Sequence, residues 1–297
     1  MRGCILTALA GRPDGQPAWV RELAEGDDAG YFADGGAAWT VHAGMPTMVA
    51  GIRALLLQAL HPGAMAGVHD HSRYREDPAG RLAGTVRWII VLTYGSPEQV
   101  GRETARVSRY HQHVVGDYVN SAGETVPYSA ADADLAAWVH LAFADAFLTC
   151  HETWGGTIPH EAGESGPDAY VREWATAGRL MGVAAPPESS AELRAALRGH
   201  LKDGTLRHDE RVADVVRFLR RPPFRGIMGV AYRVLFAGAV ATIPRDLRRM
   251  LGVRRAWWPA VTLTRVLLAA AQRALGSGPR AQDFARIRLR RVVPSDS

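Results

Sequence analysis

The 297-residue chain is 47% hydrophobic, enough for a sizeable core, and its two cysteines, Cys4 and Cys150, leave no room for a disulfide framework. Its net charge of +5 comes almost wholly from arginine, Lys202 being the sole lysine, and the interleaved acids argue against nucleic acid as a partner. Met1 to Gly11 is too weakly apolar for a secretory signal, and the best apolar run, Ile227 to Ile243, is broken by Arg233, so a cytoplasmic protein without a membrane span is expected.

Helical periodicity and capping residues recur along the chain, while strand signals are nearly absent. Residues 46–60 form an apolar helix that starts on a proline and stops before Pro62. A second helix runs from Pro78 to Tyr94 and is halted by Gly95. The third opens on Ser96-Pro97-Glu98-Gln99, with a serine cap, proline at the first helical position and glutamine three residues after the cap, and is expected to run to Val115. The turn-rich stretch 116–128 has room for a small hairpin. From Ala131 to Cys150 apolar residues occur on every side, which places that helix centrally. After a glycine-rich loop over 155–168, helices are expected at 169–182, 190–202, 208–220, 224–241, 245–251 and 257–275, with the last dozen residues frayed. The fold class is therefore all-α, a helical domain over 30–280 between an N-terminal extension (1–29) and a C-terminal tail (281–297).

Eleven histidines invite metal hypotheses, and helical geometry prunes them. Projected at about 100° per residue, His111 shares a face with Val100, Thr104, Val107, Ser108, Val114 and Val115, a face expected to be buried. His113 falls opposite, beside Arg102, Arg106 and Arg109. A neutral imidazole in an apolar wall suits an iron ligand, because coordination needs the unprotonated nitrogen; a hydrogen-bonded core histidine explains the spacing at least as well. On the preceding helix Arg81, Thr85 and Trp88 stand at i, i+4 and i+7 and point one way. An inward arginine needs an anion, either a cofactor carboxylate or, more simply, Asp77 or Glu76. His140 lies on an apolar face of the central helix as a second ligand candidate. His61, before Pro62, could line the same cavity or simply cap its helix. His69-Asp70-His71 diverges on a helix, and His151-Glu152 lacks the second histidine of a zincin. No GxSxG elbow, phosphate loop or dinucleotide fingerprint occurs.

Taken in order, several landmarks resemble the rubber oxygenase (latex-clearing protein) and MpaB-type oxygenase family. They are Arg53-Ala54-Leu55-Leu56-Leu57-Gln58-Ala59-Leu60-His61-Pro62, Asp70-His71-Ser72, Asp77-Pro78 with Arg81-x-x-x-Thr85, and Tyr94-Gly95-Ser96. His111-x-x-Val114-x-Gly116, Tyr128-Ser129-Ala130 and Leu135-x-x-Trp138-Val139-His140 follow, with weaker echoes at Tyr170-Val171-Arg172-Glu173 and Leu247 to Gly252. The resemblance implies a globin-like helical core holding haem b, with His111 as axial ligand and Arg81 and Thr85 beside the cofactor. It also implies use of molecular oxygen on a small apolar, alkene-containing or isoprenoid-like substrate, with oxidative cleavage of a carbon–carbon double bond. Two departures stand out. Gly84 occupies the place where some rubber-cleaving members carry a lysine, and no export signal accompanies the chain, which argues against an extracellular polymer.

Two rival readings accompany the haem oxygenase. One is a non-haem iron enzyme using His111, His140 and a carboxylate as a facial triad. The other is a non-catalytic helical binder of apolar ligands, in peripheral contact with a membrane through its C-terminal arginines and Trp257-Trp258.

Overall fold

A helix that is apolar all round must sit at the centre of its domain, and the segment from Ala133 to Trp154 does so. The computed structural model describes residues 17–72, 75–120, 122–221, 224–275 and 280–292, so Cys4 and the expected absence of a leader lie outside the described part. Within it are α1 (Ala18–Arg21), α2 (Ala37–Ala43), α3 (Thr47–Gln58), α4 (Pro62–His71), α5 (Pro78–Tyr94) and α6 (Pro97–His111). A two-stranded hairpin, β1 (Val115–Val119) and β2 (Thr125–Ser129), leads to α7 (Ala133–Trp154). The remainder is α8 (Gly166–Leu180), α9 (Ser190–Lys202), α10 (Glu210–Arg220), α11 (Gly226–Thr242), α12 (Arg245–Met250), α13 (Ala260–Leu275) and α14 (Ala281–Val292). The all-α class holds: fourteen helices accompany two short strands among the described residues.

Helix α7 packs most extensively along α3, with α8 and α9 covering other faces. A largely buried ion pair, Arg53 with Asp145, joins α3 to α7, and the Trp138 indole donates to the Gln58 carbonyl at 3.2 Å. By length and composition α7 alone among the described helices could cross a membrane unaided, although the sequence shows no uninterrupted apolar run there. Its few charges break the run without lowering the average enough to matter. Most of the span is buried, as befits a core helix.

The local signals read from sequence do their work. Ser96 and Gln99 close the expected reciprocal capping box on α6, and Ser189 accepts from the third backbone amide of α9; Ser165 does the same for α8, which therefore begins at Gly166, inside the stretch expected as loop. Three further features depart from expectation. Helix α6 ends at His111, four residues early, because the chain turns through Val114 and enters β1; Gly116 then lies so close to Tyr128 that a Cβ would come within 3.0 Å of its ring. Helix α2 carries no side-chain cap of its own; the Glu173 carboxylate of α8 accepts from the Ala37 and Ala38 amides at 3.2 and 2.7 Å. The end of the chain, expected to fray, is helical to Val292, and its Arg288 is fully buried. That guanidinium donates to the carbonyls of Leu23 and Tyr94, both at 2.8 Å, and so ties α14 to the turn after α1 and the end of α5.

Candidate functional site

The i, i+4 spacing on α5 brings Arg81 Nη1 to 2.6 Å from Thr85 Oγ1, so the guanidinium donates to the hydroxyl and is held along the helix. Asp77 does not pair with it, because that carboxylate caps α5 by accepting from the Gly80 amide at 2.9 Å. Among the described residues Arg81 has no carboxylate partner. The simpler expectation, a salt bridge to Asp77 or Glu76, is thus set aside. Surrounding protein lowers the guanidinium pKa even though the side chain stays open to water.

His111, the last residue of α6, is half-buried, and its pKa is lowered first by desolvation and then by the charge of Arg81. The imidazole is therefore neutral at physiological pH, with a lone pair to offer. Helical projection places its neighbours as expected: Val100 is buried and Thr104, Val107 and Ser108 are half-buried, whereas Arg102, Arg106, Arg109 and His113 face water. Two residues depart from that pattern. Val115, projected onto the buried face, is exposed because the chain has left the helix for β1. Glu103 is buried, neutralised by Arg87 and Arg106.

The end of α6 is clamped. Tyr110 donates its hydroxyl to the His71 carbonyl at 3.0 Å, and His71 Nε2 lies 2.9 Å from the Val115 carbonyl. These two bonds fix the turn on which His111 sits.

Trp88 continues the Arg81 face of α5 inward, edge-on to Trp174 with ring centroids 6.3 Å apart. Trp174 in turn lies 4.2 Å from His42, which Phe147 and Tyr170 also flank at 4.9 and 5.7 Å. Burial in this aromatic surround holds the His42 pKa down at about 3, with His151 adding a smaller push. Its Nε2 lies 3.3 Å from the Tyr170 hydroxyl, and its Nδ1 has no partner. Sequence reasoning missed this histidine, since α2 is short and its aromatic neighbours come from α7 and α8.

The other candidates are placed elsewhere. His140 is buried, its pKa lowered to about 4 by desolvation, and its ring rests on Gly178 of α8 with Pro186 alongside. His61 caps α4, Nδ1 accepting from the Ala64 amide at 3.5 Å, and burial, then the neighbouring His200, lowers its pKa to about 4. Its ring neighbours are Tyr118 and Trp138, so the capping explanation describes it well. His69 pairs with Asp70 at 2.9 Å. Among the described residues no three His, Cys, Asp or Glu side chains converge as a metal set, so the facial triad of His111, His140 and a carboxylate is not assembled. Burial pushes the Cys150 thiol up to about 12, which makes it a poor nucleophile.

The site thus offers one neutral imidazole, one unneutralised arginine and a hydroxyl that orients it. Those are the donors needed to hold an anionic, iron-bearing tetrapyrrole, so the residues present fit haem b. Residues 39–277 match the family described as ER-bound oxygenase mpaB/B'/Rubber oxygenase, catalytic domain. No curated protein and no solved structure matches the chain.

Proposed function

The chain belongs to the mpaB/rubber oxygenase catalytic-domain family, and on that premise we propose that this oxygenase depends on haem b and acts on a small apolar, alkene-containing substrate. The observation that carries the reading is Arg81: an exposed cation without a carboxylate partner among the described residues, held along α5 by Thr85 and near enough to His111 to help lower its pKa. His111 would hold the iron of the haem and Arg81 would pair with its negative charge, while Thr85 keeps the guanidinium directed along α5. Bound haem supplies the redox-active iron that activates molecular oxygen.

The residues of the chain bind, orient and exclude water. Behind the Arg81 face, Trp88 packs on Trp174 and the rings around His42, a closed aromatic core that keeps water from that side. Cleavage of the substrate's double bond is part of this reading, as is a peripheral contact with a membrane, where such a substrate partitions.

Protein produced with a haem supply should yield one equivalent of protohaem in a pyridine haemochrome assay, and should incorporate labelled oxygen into an isoprenoid alkene. Stoichiometric iron without porphyrin would replace this reading with a non-haem enzyme. Neither iron nor porphyrin would leave a binder of apolar ligands.

A further inference from the structure

We propose that the connection between α12 and α13, together with the first turns of α13, is a docking surface for an anionic lipid bilayer. Trp258 is 92% exposed and Trp257 55% exposed. Neither is on a loose loop. The Gly252 and Val253 amides donate to the Arg249 and Arg248 carbonyls at 3.0 and 3.1 Å, and the Ala260 amide closes a turn on the Trp257 carbonyl at 3.0 Å. Gly252 at φ +64° lets the chain leave α12 sharply enough to present them.

Helix α13 extends the surface. Its inner face is fixed by the buried Thr264, which donates to the Val234 carbonyl of α11 at 3.2 Å. Leu263 and Val266, one turn apart, remain 36% and 60% exposed. An exposed indole pair followed by an exposed aliphatic face is costly in water and favourable at a bilayer interface, where an indole buries its ring and keeps its N–H wet.

Charge selects the occupant. Between Asp246 and Asp283 the sequence has no acid, yet it carries Arg248, Arg249, Arg254, Arg255, Arg265, Arg273 and Arg280. Arg254 and Arg255 adjoin the tryptophans, are exposed, and have no carboxylate partner among the described residues. Arg249 meets only Asp246, at 4.0 Å. Basic side chains flanking interfacial aromatics match a negatively charged headgroup layer. A second copy of the chain fits poorly, because an isologous contact would set these arginines against their own copies. The contact is superficial: α7 stays in the core and no helix needs to cross.

This deepens the membrane part of the functional reading above and can fail separately from it, because flotation is scored without reference to haem. The test is co-flotation of the full chain with phosphatidylcholine vesicles, with and without phosphatidylglycerol. Wild-type protein should float with the anionic vesicles and be released as salt rises from about 0.1 to 0.5 M, where screening shortens to a few ångströms. Arg254→Gln with Arg255→Gln should weaken binding about twenty- to thirtyfold, on the order expected for two basic side chains at an anionic surface. Trp257→Ala with Trp258→Ala should weaken it at least tenfold while the helical circular dichroism and the melting midpoint stay unchanged. Brominated lipid should quench tryptophan emission less in Trp258→Phe than in the wild type. The proposal is overturned if the wild type does not float, if either double variant floats as well as the wild type, or if Trp258→Ala dissociates a wild-type dimer that does not float.

Discussion

Arg81 shows how one side chain can be both crowded and wet. Nearby protein disfavours its charge, no carboxylate compensates, and its one side-chain bond goes to the hydroxyl of Thr85. Leaving such a cation unpaired is tolerable only while water reaches it, so a ligand that displaces the water must bring negative charge. Replacing it should therefore be felt in cofactor retention more than in folding. Arg81→Leu should raise the haem dissociation constant roughly ten- to a hundredfold, the scale of a hydrogen bond to a charged group, with an unchanged denaturation midpoint. Competitive transfer of haem to apomyoglobin would measure it, and wild-type retention in the variant would contradict the pairing. The contact of Arg81 with Thr85 was legible in the sequence because i, i+4 spacing on one helix brings the two together, whereas the exposure of Arg81, expected to face inward, was not. Nor was His42, because its burial is supplied by rings from other helices.

Helices here are set by local caps where the caps are local, and by distant partners elsewhere. The Ser96–Gln99 box and the Ser189 cap are visible in four residues, so α6 and α9 begin where their sequences say. Helix α2 is capped from α8, and α14 is anchored through a buried arginine to carbonyls near the other end of the chain, so neither is legible from its own residues. The contact of α8 with α7 is equally non-local: a Cβ on Gly178 would lie 2.9 Å from Pro186 and 3.1 Å from the His140 ring. Gly178→Ala gains helix propensity but overpacks that seam, and it should lose about 1–3 kcal/mol of stability in urea denaturation. A stabilised variant would show that α8 can shift freely.

For the whole molecule, buried neutral histidines make stability depend on acid. His42, His61 and His140 are held at about 3, 4 and 4 in the folded state, below the usual value of 6.5, with desolvation the main cause for each. Below pH 6.5 the unfolded chain takes up protons that the folded chain refuses, so stability falls as pH drops from about 6.5 towards 4 and is level above that window. Each histidine contributes a slope of about 1.4 kcal/mol per pH unit inside it. Melting midpoints should drop between pH 7 and pH 5, and His140→Leu should flatten the fall by about a third. Equal midpoints at the two pH values would mean that these rings accept protons in the folded protein.

The assignment of His111 as the iron ligand is tested most directly by spectrophotometric titration of the apoprotein with haemin, run beside His111→Ala and His113→Ala. His113 is the control, being exposed and two residues beyond the end of α6. A one-to-one Soret transition is expected for the wild type and for His113→Ala, with its loss or displacement in His111→Ala. A Soret band unchanged by His111→Ala, or sensitive to His113→Ala instead, would contradict it.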